Sequence, residues 1–184
     1  MLTSDLWNQY LQEAIAAIRQ TNPGRIIIVG PTNWYYLGLL NTLALPANDR
    51  NLNYYNPFQF THQGAEWVAG SNAWLGTRWT SSAAERQTIQ QEFSAAAQWG
   101  AANRRPLNLG EFGAYSKADM TSRALWTEFV ARTAEANNIS WHYWEFIAGF
   151  GVYNGAANDW NYPLLNALVP KATVAFKMIG GLNN

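Results

Sequence analysis

The amino-acid sequence predicts an α/β protein built on a parallel β-sheet. Helical and strand-like segments alternate along the chain, and residues suited to chemistry follow the predicted strands at their carboxyl ends. Alternation of this kind is typical of parallel sheets with right-handed crossovers. Functional residues at the carboxyl ends of strands fit both open doubly wound sheets and (β/α)8 barrels.

Composition excludes several functional classes. The 184 residues fit one domain, and twelve Lys and Arg balance twelve Asp and Glu, so the formal net charge is zero. A nucleic-acid binder normally carries a basic surplus, so no nucleic-acid partner is expected. No apolar stretch approaches the roughly 20 residues of a membrane span, so no membrane partner is expected either. Residues 1–10 carry no signal-peptide pattern.

Metal and cofactor chemistry is also unexpected. The chain has no cysteine, which removes disulfides, thiol chemistry and zinc–thiolate sites. His62 and His142 are its two imidazoles, and no glycine-rich phosphate loop follows the first predicted strand. We therefore expect no metal and no cofactor.

The first predicted elements are a helix and a strand. Apolar residues recur at helical spacing over residues 4–18, and Asn22-Pro23-Gly24 ends that helix. Residues 25–29 form a continuous β-branched run, which is typical of a parallel strand buried on both faces. A polar loop, residues 30–34, follows at its carboxyl end.

The middle of the chain predicts a short helix, a short strand and a long helix. Residues 35–43 are helical in pattern, residues 52–55 give a weak strand, and residues 56–79 form a long loop. Ser82 and Glu85 form a capping box at the start of the long helix. Five residues of that helix are expected to be buried: Ile89, Phe93, Ala96, Ala97 and Gly100.

The remaining elements continue the alternation. Residues 105–112 predict a strand, a helix begins near Asp119, residues 139–146 predict an aromatic strand, and residues 163–168 predict a short helix. The helix is expected to bury Leu125, Phe129, Val130 and Ala134. Residues 170–184 form a tail to which the sequence assigns no structure.

Aromatic content gives the first indication of function. The chain has ten Trp, nine Tyr and eight Phe, with only 13% charged residues. Flat aromatic faces stack on the apolar faces of sugar rings, and nearby Asn, Gln and His side chains suit the hydroxyl groups at the ring edges. The alternative is that the tryptophans fill the core.

Three positions stand out as candidates for chemistry. Glu111 ends a predicted strand between Gly110 and Gly113, which would let a ligand approach closely; the alternative is a structural pair with an arginine. Trp144 would project towards the end of the last strand, unless it packs inside a barrel. His62 lies in an aromatic loop, where it would either bind a hydroxyl or brace the loop.

Three stretches together resemble the cellulases of glycoside hydrolase family 5. They are residues 54–67, the motif at residues 110–115 (GEFGAY) and residues 141–153, and the likeness extends from about residue 2 to residue 168. Members of that family are (β/α)8 barrels that cleave β-1,4-linked glucans or mannans with retention. The resemblance implies an endo-β-1,4-glucanase-type cellulase. It also implies that residues 1–169 are the C-terminal half of the catalytic barrel, about strands five to eight, with strand six shortened.

The resemblance implies roles for six residues. Glu111 corresponds to the family's nucleophile and Tyr55 to the tyrosine that orients it. Trp144 corresponds to the tryptophan under the sugar at the point of cleavage. The other three match positions that line the substrate cleft: Trp34, His62 and Trp67. The implied partner is a β-glucan, and the choice among cellulose, mixed-linkage glucan and mannan stays open.

Two departures from the family pattern affect the expected activity. The family's general acid/base ends strand four and has no counterpart in this sequence, and neither Glu66 nor Glu145 matches its position. Asn53 stands where family members carry a His. Because retaining hydrolysis needs two carboxyl groups about 5–5.5 Å apart, we expect this chain alone to be a very poor glycosidase.

Two alternatives to a hydrolase stay open, a non-catalytic glucan-binding half-barrel and an inactive truncation product. A half-barrel would expose two sheet edges, so a homodimer through these barrel edges is a further expectation. Family members are often secreted, and the sequence leaves the localisation open.

Overall fold

Four parallel strands form the central sheet, in the order β1-β2-β3-β4. The structure is a computed structural model that describes residues 2–44 and 49–169, so the tail at 170–184 lies outside the described residues. The strands of this sheet are Ile28–Val29 (β1), Asp49–Tyr54 (β2), Leu107–Phe112 (β3) and Ser140–Trp141 (β4). Sequential parallel strands joined by helices are the arrangement of half of a (β/α)8 barrel.

Helices connect the strands. They are Ser4–Thr21 (α1), Thr32–Tyr35 (α2), Phe58–Thr61 (α3), Ala83–Asn103 (α4), Met120–Ala136 (α5) and Tyr162–Leu168 (α6), with 3₁₀ segments at Leu37–Thr42 and Ser71–Trp74. The predicted capping box is confirmed, because the Ser82 side chain accepts from the Glu85 amide and the Glu85 side chain accepts from the Ser82 amide. The helix predicted over 35–43 is a 3₁₀ segment instead.

The core lies between the sheet and the long helices. Leu52 and Leu109 are fully buried partners on β2 and β3. Tyr54 packs edge-on against Phe93 of α4, with ring centroids 4.9 Å apart, and stacks on Trp126 of α5 at 6.2 Å. On α5 the prediction that Leu125 is buried is wrong: Leu125 is exposed, and its neighbour Trp126 faces the core instead.

Strand β2 is longer than the sequence suggested. It begins at Asp49 rather than at residue 52, because its backbone pairs with β3 from Arg50 and Leu107 onwards. Backbone pairing needs no particular side chain, so an apolar pattern underestimates the strand length. β2 is therefore six residues long, as β3 is.

Strand β1 is an edge strand, which contradicts the prediction that its run of β-branched residues is buried on both faces. Val29 is buried against Ile15 of α1. Ile26 and Ile28 are exposed, because the opposite face of this strand has no covering layer among the described residues. The strand is also short, with two residues paired to β2.

Strand β4 is shorter than the predicted 139–146, but its hydrogen bonding continues past its end. The His142 amide donates to the Leu109 carbonyl at 2.8 Å, and the Trp144 amide donates to the Phe112 carbonyl at 2.9 Å. A small antiparallel hairpin, Tyr153–Asn154 (β5) and Asp159–Trp160 (β6), follows. Within the two described ranges, no helix is long and apolar enough to cross a lipid bilayer.

Candidate active site

A cleft of about 910 Å³ lies at the carboxyl ends of the strands. Its walls come from the loops that follow β1, β2, β3 and β4. All six residues singled out in the sequence line it: Trp34, Tyr55, His62, Trp67, Glu111 and Trp144. The structure therefore brings together residues that are up to 110 positions apart in the sequence.

A β-bulge turns Glu111 towards the cleft. Leu52 pairs with Leu109, but Asn53 pairs with Glu111, so the ladder skips Gly110. Strict alternation would place Glu111 on the same face as Leu109, which is fully buried. The extra residue reverses that phase and leaves Glu111 in the cleft lining, a known use of bulges beside functional sites.

Tyr55 donates a hydrogen bond to Glu111. Its hydroxyl lies 3.0 Å from Oε2 of that carboxylate. Burial, and then the charge of Glu111, raise the pKa of the Tyr55 phenol well above its usual range, so the phenol keeps its proton and remains a donor. The Tyr55 backbone is held in turn by the Thr61 hydroxyl, which donates to its carbonyl at 2.6 Å.

His62 is a neutral, packed side chain in the wall of the cleft. Its ring stacks on Phe58, with centroids 4.1 Å apart and planes inclined by 18°, and it meets the Tyr55 ring edge-on at 5.0 Å. Its Nδ1 lies 3.0 Å from the Thr61 hydroxyl. Burial lowers the pKa of His62 to about 4, so the imidazole is uncharged at neutral pH.

Three tryptophans in the cleft are exposed although they are large and apolar. Trp34 is 86% exposed, Trp67 is 60% exposed and Trp144 is 42% exposed. By contrast, Trp79 and Trp126 are fully buried and do fill the core. Trp79 and Trp126 therefore fit the core-filling interpretation, and sugar stacking by the three exposed tryptophans stays a prediction.

The backbone at Trp34 is unusual. Asn33, Trp34 and Tyr35 have φ values of 56°, 53° and 62°, so three consecutive non-glycine residues adopt the left-handed region. Each such residue costs free energy that the surrounding structure must offset, and such residues cluster at ligand sites. Within the one-turn segment α2, this conformation accompanies the exposed Trp34 side chain at the cleft.

Sequence reasoning missed several residues of the site. Phe150 is in ring contact with Tyr55, His62, Trp67 and Tyr115, with centroids 5.4–6.2 Å apart. The sequence signal that could have identified Phe150 is an aromatic residue between two glycines, Gly149 and Gly151. Arg123 of α5 was also missed: it is buried and donates to the carbonyls of Ala114 and Phe150, which ties the loops after β3 and β4 together.

Gly113 is needed for close packing of two backbones. A Cβ at this position would lie 2.1 Å from the Trp144 carbonyl oxygen and 3.1 Å from the Phe150 ring. Glycine is therefore required because the backbones after β3 and β4 nearly touch.

The other carboxylates near the site are engaged elsewhere. Glu145 lines the cleft, and its Oε1 accepts from the Phe150 amide at 3.4 Å. Glu66 accepts from the Tyr115 hydroxyl at 2.7 Å and pairs with Lys117 at 3.8 Å, outside the cleft lining. Among residues 2–44 and 49–169, no three His, Asp or Glu side chains are grouped so that they would hold a metal ion.

Comparison with known proteins identifies relatives of the whole described region. The family model "Cellulase (glycosyl hydrolase family 5)" matches residues 2–149. Endoglucanase H of Acetivibrio thermocellus is 28% identical over 165 residues, covering 85% of this chain and 17% of its own length. Endoglucanase C of the same organism is 25% identical over 198 residues, covering 92% of this chain and 58% of its own length.

Solved structures agree with these matches. Cel5A of Thermotoga maritima, solved in complex with cellobiose, is 44% identical, with a TM-score of 0.88 over 91% of this chain and 56% of that chain. Its complex with mannotriose matches equally well. This chain thus spans just over half the length of its structural relatives. Its sheet corresponds to part of the barrel in those structures. It belongs to the cellulase family, glycosyl hydrolase family 5.

Proposed function

We propose that the chain is part of a retaining glycoside hydrolase that acts on β-1,4-linked glucan, with Glu111 as the nucleophile. The observation that carries the proposal is the Tyr55 hydroxyl held 3.0 Å from Oε2 of Glu111 in a cleft of exposed tryptophans. The hydrogen bond fixes the carboxylate, so that its other oxygen is free to attack an anomeric carbon.

The reaction has two steps. In the first, an Oε atom of Glu111 forms an ester bond to the anomeric carbon while the glycosidic bond breaks, and the leaving oxygen takes a proton from a general acid. In the second, water replaces Glu111 at that carbon and gives a proton back to the same group. Trp34, Trp67 and Trp144 stack on the sugar rings, and neutral His62 hydrogen-bonds a hydroxyl.

The general acid/base lies outside this chain in the proposed mechanism. Glu145 lines the cleft, and Glu66 and Glu92 contact residues of its lining, but all three already accept hydrogen bonds from neighbouring groups. Loss of general acid catalysis typically costs 10²–10⁴-fold in rate. The chain alone is therefore a binder of β-glucan with little turnover, and the three exposed tryptophans favour this role as the second candidate function.

Titration calorimetry with cellotetraose tests the proposed cleft. Wild type should bind, and Trp67→Ala should weaken binding by roughly 2–10-fold, because one stacking contact is lost. Trp160→Ala is the matched control, since Trp160 is also exposed but lies outside the cleft lining. A wild-type chain that binds no cello-oligosaccharide would refute the proposal.

We also propose that the isolated chain forms a homodimer through the two edges of its sheet. Ile28 of β1 and Ile26 just before it are exposed, and among the described residues no strand pairs with the outer edge of β1 or of β4. An open edge of this kind favours association with another sheet edge. A dimer in which β4 of one copy pairs with β1 of the other would cover both edges.

A further inference from the structure

One side-chain oxygen beside Glu111 has no hydrogen-bond partner among residues 2–44 and 49–169. Asn53 lies on β2 with Glu111 as its Cα partner on β3. Its side chain is 5% exposed and its Oδ1 accepts no hydrogen bond. Asn53 also belongs to the lining of the 910 Å³ cleft. A buried acceptor left without a donor destabilises the folded chain by its desolvation cost.

The other buried amides of the described residues differ from Asn53. Asn8 donates to the Thr42 carbonyl at 2.8 Å and accepts from the Ala44 amide at 3.2 Å. Gln63 donates to the carbonyls of Phe60 and Thr77 and accepts from the Gly76 amide. Asn8 and Gln63 each link two segments of the chain through both the donor and the acceptor of the amide, so their roles are structural. Asn53 has no such role through its Oδ1.

A central strand does not favour asparagine. β2 is paired on both sides, and β-branched or aromatic residues fit such a position better than an amide. The backbone ladder at Asn53 is formed whatever its side chain. A polar side chain that is unpaired here, in the lining of a cleft, indicates a donor that arrives with a ligand.

We propose that Asn53 is a sugar-binding residue whose Oδ1 accepts a hydrogen bond from a hydroxyl of the ring that binds against Glu111. The inference rests on the proposed function, in which the cleft holds a β-glucan. Asn53 and Glu111 present two acceptors on adjacent strands, and Tyr55 presents a phenol. A pyranose ring carries neighbouring hydroxyls that donate to such acceptors, whereas an apolar ligand would leave Oδ1 unpaired.

The test replaces Asn53 with leucine, which has the same branched shape, two bulkier methyl groups and no acceptor. If Oδ1 is reserved for a ligand, Asn53→Leu relieves a buried unpaired atom, and Tm should rise by roughly 2–6 °C. At the same time the Kd for cellotetraose should increase about fivefold, because one neutral hydrogen bond to the sugar is lost. Substitution of a residue with a purely structural role would not raise Tm and the Kd for cellotetraose together.

Thr127→Val is the matched control, because Thr127 is fully buried and lies outside the cleft lining. It should leave cellotetraose binding unchanged. Asn53→Ala replaces the leucine variant if that variant does not fold. Unchanged binding in either Asn53 variant would overturn the inference, and so would weaker binding in an Asn53→Leu variant whose Tm has fallen. Failure of the wild type itself to bind cellotetraose would instead refute the proposed function, and this inference with it.

Discussion

Among the single residues of the site, Tyr55 and His62 have protonation states that burial determines. Burial raises the pKa of Tyr55, which therefore remains a donor to Glu111, and burial lowers the pKa of His62, which therefore remains neutral. Both effects follow from desolvation, which disfavours the charged form of each group. The cleft thus offers Glu111 a fixed hydrogen-bond donor without placing a positive charge on His62.

The lowered pKa of His62 predicts a pH dependence of stability. Between pH 6.5 and about 4, the unfolded chain binds a proton at residue 62 that the folded chain does not bind. The free energy of unfolding should therefore fall as pH decreases through this window, by on the order of 3 kcal/mol from this group. Above pH 6.5 the contribution is constant, because both states are neutral there.

Urea denaturation at several pH values between 4 and 7 measures this effect. His62→Gln should flatten the dependence relative to wild type, whereas His142→Gln should not, because His142 is exposed. The two substitutions are matched, since the chain has only these two histidines. An identical pH dependence in wild type and His62→Gln would contradict the packing described for His62.

Residue identity was predictable where a motif carried it. Glu111, Tyr55 and the exposed tryptophans were found from the sequence and all line one cleft. Asn53 was noticed only as a departure from a family pattern, and its unpaired oxygen required the structure. Burial and hydrogen bonding are tertiary properties, so local sequence does not reveal them.

At the scale of elements, the junction after β3 and β4 sets the geometry of the site. The bulge at Gly110 turns Glu111 outward, and Gly113 lets the following backbone approach Trp144. The existence of both strands was predicted, but alternation alone would have placed Glu111 on the buried face. The apolar residues of β3 are Leu107, Leu109 and Phe112, so alternation breaks after Leu109, but this pattern does not reveal which residue the ladder skips.

Gly113→Ala should destabilise the chain by about 1–3 kcal/mol, because the new methyl group would overlap the Trp144 carbonyl oxygen. The same variant should weaken sugar binding, since Trp144 must move. Gly24→Ala is the control, because no atom lies within 4 Å of a Cβ at that position. Equal stability of both variants in thermal unfolding would mean that the two backbones are not in close contact.

Considering the molecule as a whole, the sheet is open at two edges within the part of the chain that the structure describes. Ile28 of β1 and Ile26 just before it are exposed, although the sequence predicts burial on both faces of this strand. The structural relatives are nearly twice as long as the matched region. The described residues thus cover only one face of β1.

This exposure predicts the behaviour of the isolated chain in solution. Sedimentation velocity at micromolar concentration should give a dimer for wild type and a monomer for Ile28→Lys, because a charge at the edge opposes strand pairing. Leu125→Lys, on the exposed side of α5, should remain a dimer. A wild-type chain that sediments as a monomer would rule out the proposed association.

We propose Glu111 as a glycosidase nucleophile whose general acid/base this chain does not supply. The most direct measurement is the intact mass of the chain after incubation with 2,4-dinitrophenyl β-cellobioside. The dinitrophenolate leaves without protonation, so formation of the glycosyl ester needs no general acid, while hydrolysis of that ester is slow without a general base. The wild-type chain should carry one cellobiosyl group on the peptide containing Glu111, and the Glu111→Gln variant should carry none. No adduct on the wild type, or the same adduct on Glu111→Gln, would contradict it.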